Sequence, residues 1–144
     1  MITDYLAAEQ LIKDRLKAQI ADVHVLSAED LEGVRENSQP SPALQVIYYD
    51  DSAEEGARKG KSQRINQTWL VVIVVRNVAD KSGVGRRLAL GELILQTLNA
   101  LSGYKLSDEF SELVRVRPPF RITYRNGFAY FPIAFSTNLY FTLE

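Results

Sequence analysis

The sequence predicts an α+β fold: a single domain, residues 1–144, whose mostly antiparallel or mixed sheet carries an N-terminal helix and a long central helix packed on it. Three observations predict it. The run 69–75 is apolar on both strand faces, which marks a strand covered on both sides. Asn126-Gly127 stands between two alternating apolar runs, and a hairpin turn of that kind needs positive φ at both residues. Two further segments repeat their apolar residues at the helical period. The 144 residues suit one domain, and a chain of that size buries roughly 68–70 % of its unfolded surface. With 46 % hydrophobic and 24 % charged residues, the composition argues against disorder and low-complexity tails.

Each element has its own signal. Residues 2–20 read as an amphipathic helix, because Ile2, Tyr5, Ile12, Leu16 and Ile20 fall on one stripe. Glu9 sits within that stripe, either at its rim or paired with a basic neighbour. Residues 23–26 form a short strand. Ser27 then caps a helical turn, with Asp30 three residues on, and Gly33 soon ends it. Residues 36–42 make a loop in which Pro40 and Pro42 hold the chain extended ahead of the next strand. Residues 43–49 and 65–76 are strands by composition. Between them, residues 50–64 hold Asp50, Asp51, Glu54 and Glu55, then Arg58, Lys59, Lys61 and Arg64, with Gly56, Gly60 and little that packs. The stretch reads as a mobile charged hairpin loop, and loops of this length commonly serve function or are disordered.

Asp80 caps a helix running to about Leu101. Its apolar arc is wide: Leu90, Ile94, Thr97 and Leu101 form one face, and Val84, Leu88, Gly91, Leu95 and Leu98 an adjacent one. One helix on one sheet needs one stripe. Either the helix wedges deep in its own domain, or the second face meets another surface, where Gly91 lets a backbone approach closely. Gly103 ends the helix. Residues 113–117 are a short strand stopped by Pro118-Pro119, and residues 120–124 and 128–142 form the hairpin around Asn126-Gly127. In the last strand Phe131, Ile133, Phe135, Leu139 and Phe141 share one face, and Tyr130, Ser136, Asn138 and Tyr140 the other.

The net charge of −1 hides a polar chain. Residues 1–55 hold twelve acidic and four basic side chains, a balance of −8, while residues 56–144 hold thirteen basic and six acidic, a balance of +7. The halves either pair inside one subunit or present an acidic and a basic surface. A subunit of the second kind is complementary head to tail to its own copies, a contact that closes into rings when the rotation allows.

The search for reactive chemistry excludes more than it finds. Cysteine is absent, which removes disulfides, thiolate metal sites and a cysteine nucleophile and suits a reducing compartment. His24 is the single histidine, so His-rich metal sites and most histidine relays are excluded, and its apolar flanks mark it as structural. No apolar run approaches the roughly 18–20 residues of a membrane span. Asp4, Glu9, Lys13 and Asp14 interrupt what a signal peptide needs, so the expectation is a soluble protein made in the cytosol. Gly83-Val84-Gly85 lies between a strand and a helix, where phosphate loops sit, but Leu88 stands where the dinucleotide fingerprint needs its third glycine. Arg86 and Arg87 fall in that helix's first turn, where the dipole disfavours cations, which points to an acidic partner. Ser102 and Lys105 match a Ser-x-x-Lys spacing without its companion motifs. Adjacent carboxylates such as Asp50-Asp51 and Glu54-Glu55 need support to hold a catalytic or metal geometry. Arg115, Arg117, Arg121 and Arg125 lie among Phe120, Tyr124 and Phe128, a pattern that suits a solvated sheet face, an acidic protein or a single nucleic-acid strand. The reading is not an enzyme, and no cofactor motif stands out.

Four stretches carry a family resemblance. They are Ser27-Ala28-Glu29-Asp30-Leu31-Glu32-Gly33-Val34, residues 39–48 (Gln-Pro-Ser-Pro-Ala-Leu-Gln-Val-Ile-Tyr), residues 67–77 (Gln-Thr-Trp-Leu-Val-Val-Ile-Val-Val-Arg-Asn) and residues 127–135 (Gly-Phe-Ala-Tyr-Phe-Pro-Ile-Ala-Phe). The chain resembles, over most of its length, the tail terminator (tail-completion) proteins of tailed bacteriophages, in the form found in Mu-like phages and prophages. That resemblance implies a structural virion protein at the head-proximal end of the tail, assembled in the host bacterial cytoplasm. It implies a hexameric ring of copies of itself that caps the tail tube, stops tube polymerisation and provides the surface for head–tail joining. The implied partners are tail tube protein, head–tail connector proteins and genome DNA passing through the ring, with no membrane. No catalytic, metal or cofactor residue is carried over. Charge and patterning then nominate Asp50, Asp51, Glu54, Glu55, Arg58, Lys59, Lys61, Arg64, Arg115, Arg117, Arg121 and Arg125 for tube or connector contact or channel lining. They nominate Val84, Arg86, Arg87, Leu88, Gly91, Leu95 and Leu98 for the subunit interface. The alternatives are another connector, neck or baseplate component, or a small nucleic-acid-binding module built on the arginines.

Overall fold

In the computed structural model, which describes residues 2–54, 56–76 and 84–142 (backbone alone at 37 and 84–88), helices and strands follow the predicted order. The elements are α1 (Ala7–Gln19), β1 (His24–Ser27), α2 (Ala28–Leu31), β2 (Ala43–Ala53), β3 (Ser62–Arg76), α3 (Val84–Leu101), β4 (Val114–Val116), β5 (Thr123–Arg125) and β6 (Phe128–Thr142). A short 3-10 turn stands at Glu36–Ser38, and a turn with positive φ at Arg58–Gly60. The strands form one mixed sheet in the order β1-β2-β3-β6-β4, with β5 also on β6. β1 runs parallel to β2, and the remaining neighbours are antiparallel. This is the α+β domain the sequence predicts.

β3 is the axis of the molecule. Trp69, Val71 and Ile73 face Ala8, Ile12 and Leu16 of α1 and Leu90, Leu93 and Leu101 of α3. Leu70, Val72 and Val74 point the other way, onto Ala43, Phe128 and Ala134, with Val116 and Tyr130 packed beside them. That second cluster draws on strands alone. Gln39, just beyond the 3-10 turn, closes over it and donates its amide to the Tyr130 hydroxyl at 2.7 Å. Each fully buried side chain of this kind is worth about 1.5–3 kcal/mol, so the double covering of β3 is the main source of cohesion.

The local signals hold at several places. The Ser27 N–H and hydroxyl both donate to the Asp30 carboxylate, at 2.8 and 3.0 Å, and Lys13 of α1 reaches the same oxygen at 3.0 Å. The Ser27 N–H foremost, then the Lys13 ammonium and the Ser27 hydroxyl, hold the Asp30 carboxyl down to about 2. Asn126 and Gly127 turn the last hairpin with φ of 51° and 83°. Gly103 leaves α3 at φ 74° and gives its N–H to the Leu113 carbonyl at 2.8 Å.

Two expectations need correction. The first helix begins at Ala7, not at residue 2. The Tyr5 carbonyl accepts from the Gln67 side chain at 2.7 Å and its hydroxyl donates to Asp51 at 2.5 Å, so this stretch is strapped to the sheet instead of coiling. The segment 50–64 is not one loop. β2 continues to Ala53, paired with Ile65, and β3 begins at Ser62, paired with Thr142 of β6. The cause is register: β6 is long enough to pair β3 down to Ser62, and β2 follows β3. The hairpin connection shrinks to residues 54–61, of which Glu55 lies outside the described residues, as do Asp80 and Gly83 at the approach to α3.

Candidate functional site

The charged hairpin is a stiff arm with a basic tip. A bulge at Tyr49 shifts the register between β2 and β3, and beyond it Asp50 pairs with Thr68 and Asp51 with Gln67. Asp51 is engaged locally. Hydrogen bonds from Tyr5 and then Tyr48 lower its pKa, while burial first, and Asp51 second, push Tyr5 up to about 12 and raise Tyr48. Glu54 meets Arg64 at 4.0 Å, a long and exposed ion pair that contributes little. At the tip, Arg58, Lys59 and Gly60 adopt φ of 55°, 59° and 86° in succession. Positive φ is uncommon outside glycine, so this turn is held by its closing bonds. Ala57 donates to the Ser62 carbonyl at 2.8 Å and Ser62 donates back at 3.2 Å. Gly56 is required there, because a Cβ would stand 2.8 Å from the Ser62 carbonyl oxygen. The turn leaves Arg58, Lys59 and Lys61 exposed, with no acceptor for their side chains among the described residues.

The four arginines nominated between residues 115 and 125 separate into three and one. Arg115, on β4, and Arg117 and Arg121 beyond it are exposed, and their guanidinium groups meet no acceptor among the described residues. Arg125 is taken. Its Nε and Nη2 donate to Glu36 Oε2 at 3.0 and 2.8 Å, the Tyr130 hydroxyl donates to the same oxygen at 2.6 Å, and the Asn126 amide donates to Oε1. These bonds, from Asn126 first, then Tyr130 and Arg125, hold the Glu36 carboxyl down to about 2. Glu36 has no counterpart among the residues nominated from sequence. It lies in a polar loop 89 residues from Arg125, and no local pattern announces the pairing.

The two faces of α3 also differ. Leu90, Thr97 and Leu101 are buried, Ile94 is half-buried against the same core, and Thr97 returns its hydroxyl to the Leu93 carbonyl at 2.7 Å. On the adjacent face Leu98 is half-buried, Gly91 has open space where a Cβ would stand, and Leu95 is 62 % exposed. At Leu95 the second face is therefore not wedged inside its own domain. The side chains of Val84, Arg86, Arg87 and Leu88 lie outside the described residues.

A groove of about 900 Å³ runs between the N-terminal segment and the end of β6, lined by Ile2, Tyr5, Ile65, Asp108, Leu139 and Phe141 among others. Among the described residues no three His, Asp or Glu side chains stand together as a metal site. Nor is any helix among the described residues long and apolar enough to cross a membrane.

The described surface thus carries a basic arm, three arginines with no acceptor among the described residues and, on α3, the exposed Leu95. The sequence model of the family described as phage tail terminator protein matches residues 1–143. The chain belongs to the phage tail terminator family, one of structural proteins of bacteriophage tails. Among solved structures, it is similar to a chain in the virion of a native gene transfer agent particle, at 15 % identity and a TM-score of 0.55, covering 95 % of this chain and 99 % of that one. That likeness is one of fold. No curated protein matches the chain.

Proposed function

We propose that the protein is a ring-forming tail terminator: copies of it close into a ring that caps the finished tail tube, stops addition of tube protein and offers the surface for head–tail joining. The observation that carries this reading is the family match over residues 1–143. Family resemblance supplies the hexamer, the head-proximal position, assembly in the host cytoplasm and genome DNA passing through the ring. The chain's own surfaces support the rest. Leu95, beside the open space at Gly91, is the kind of leftover apolar surface a neighbouring subunit covers, and the sequence places Val84, Leu88 and Leu98 on the same helical face. Arg86 and Arg87, in the first turn of the same helix, are proposed to meet acidic surface of a neighbour. The arm presents Arg58, Lys59 and Lys61 to acidic surface on tube or connector protein.

Electron microscopy of the purified protein, alone and with tail tubes, tests the reading, with rings at tube ends as the expected result. A phage lacking the protein should make tails of abnormal length. Normal tails without heads would instead make it a neck component. Replacing Arg58, Lys59 and Lys61 together by glutamate should leave the fold intact by circular dichroism and yield no functional tails. Full infectivity from that triple variant would overturn the role of the arm.

A further inference from the structure

The charge division of the sequence is laid out across the sheet. At one side, β1 pairs with β2 only through Val46, so among the described residues positions 47–53 have no strand on their outer edge. Asp50 stands on this open edge and Glu54 at its end, both exposed, with Glu54 only loosely tethered to Arg64 at 4.0 Å. At the other side, β4 closes the sheet with Arg115 on it and Arg117 and Arg121 just beyond. Three strand spacings separate β2 from β4, roughly 14 Å, which exceeds the roughly 8–10 Å screening length at physiological salt. The acids and the arginines therefore do not satisfy one another within one chain.

An open strand edge is a template for another strand. Charge decides which strand it accepts. Two acidic edges brought together repel, as do two basic ones, since like charges opposite each other across a ladder destabilise it. Pairing of like with like, the arrangement of a two-fold dimer, is rejected. Acidic edge against basic edge remains, and that contact is heterologous and propagates into a closed ring or a filament. Apolar surface supplies the contact area on both sides: Tyr49 is 50 % exposed on the β2 bulge, and Val114 and Tyr124 are 58 % and 63 % exposed on β4 and β5. Asp51 and Arg125 take no part, because Tyr5 and Glu36 hold them.

We propose that the open edge of β2 beyond Val46 receives the β4 edge of a second copy of this chain, head to tail, with Asp50 and Glu54 facing Arg115, Arg117 and Arg121. This rests on the ring reading and gives it two surfaces. It assigns the three arginines to the neighbouring subunit and leaves the arm tip to tube or connector protein.

A charge-swap experiment tests it. The variant R115E/R117E carries two acidic edges and the variant D50K/E54K two basic ones. Each alone should associate at least tenfold more weakly than the parent chain by analytical ultracentrifugation, with parent-like circular dichroism. An equimolar mixture should recover association, because the acidic edges of one meet the basic edges of the other. The milder R115Q/R117Q pair should weaken association without reversing charge, and it decides the matter if a reversed variant fails to fold. Parent-like association of the folded variants, or no recovery on mixing, overturns the edge contact and leaves the tail-terminator reading standing. Folded variants that still form rings but no longer bind tubes also overturn it. Parent rings absent from tube ends, with swap and rescue intact in solution, overturn the tail-terminator reading and leave the edge contact. A parent chain that stays single in solution and on tubes overturns both.

Discussion

From Trp69 to Val74 every side chain of β3 is buried, whereas from Ser62 to Thr68 only Ile65 and Gln67 are, between half-exposed and exposed neighbours. The two stretches are one strand, paired with β6 along its whole length and with β2 from Ile65 to Val74. The difference lies in what covers them. Around Trp69 the sheet has helices on one face and the Phe128 cluster on the other, while toward Ser62 the same ladder carries polar side chains and ends in a basic turn. Backbone pairing alone thus extends a rigid arm well past the core, and the arm's surface is free for partners because folding does not consume it.

Substitutions can break or sharpen that comparison. The largest effect belongs to the core stretch. Trp69 is fully buried, meets Tyr48 edge-on at 5.4 Å between ring centroids and donates its indole N–H to Gln67 at 3.1 Å. Trp69→Ala should cost about 3–5 kcal/mol, seen as a lower urea midpoint and a Tm drop on the order of 10 °C. Urea resistance like that of the parent would mean the core is not centred there.

The Glu36 latch gives a smaller effect that depends on pH. Its carboxyl titrates at about 2 in the fold against an ordinary value of 4.5. A depressed carboxyl contributes stability above the unfolded value and loses it as pH falls toward the folded one. The parent should therefore exceed Glu36→Gln in stability at pH 7 and 5, with the gap closing between about pH 4.5 and 2. Denaturant midpoints at four pH values check this. A constant gap would show that the carboxylate's charge is irrelevant.

On α3 the changes are smaller still for folding and larger for assembly. Gly91→Ala should stabilise the isolated subunit by up to about 1 kcal/mol, since alanine favours helix and the space above is open. The same change should weaken ring formation if a neighbouring backbone approaches there. Leu95→Asn should move subunit stability by less than about 0.5 kcal/mol while reducing association, measured by sedimentation. Unchanged association from both would remove α3 from the interface.

Much of the fold was legible because it is written in local periods. The doubly apolar run at residues 69–75, the Asn126-Gly127 turn, the Ser27–Asp30 cap and the Gly103 stop each depend on residues a few positions apart. The arm was not legible. Asp50 and Asp51 are poor strand formers, and they are held in β2 because β3 continues beside them. The stripe of residues 2–20 misplaced the start of α1, since Gln67, some sixty residues on, claims the Tyr5 carbonyl.

The candidate surfaces divide in the same way. Composition by itself determined that the chain has no thiol chemistry and one histidine, because those follow from counting, and counting along the chain added two halves of opposite charge. Order along the chain determined the elements and the wide apolar arc of the α3 helix. Only the tertiary structure decided that Arg125 belongs to Glu36 while Arg115, Arg117 and Arg121 meet no acceptor among the described residues, that Asp50 and these arginines occupy opposite sheet edges, and that Leu95 faces solvent. Charge is a property of residues, but its satisfaction depends on distance, and distances between remote residues exist only once strands have chosen their partners and register.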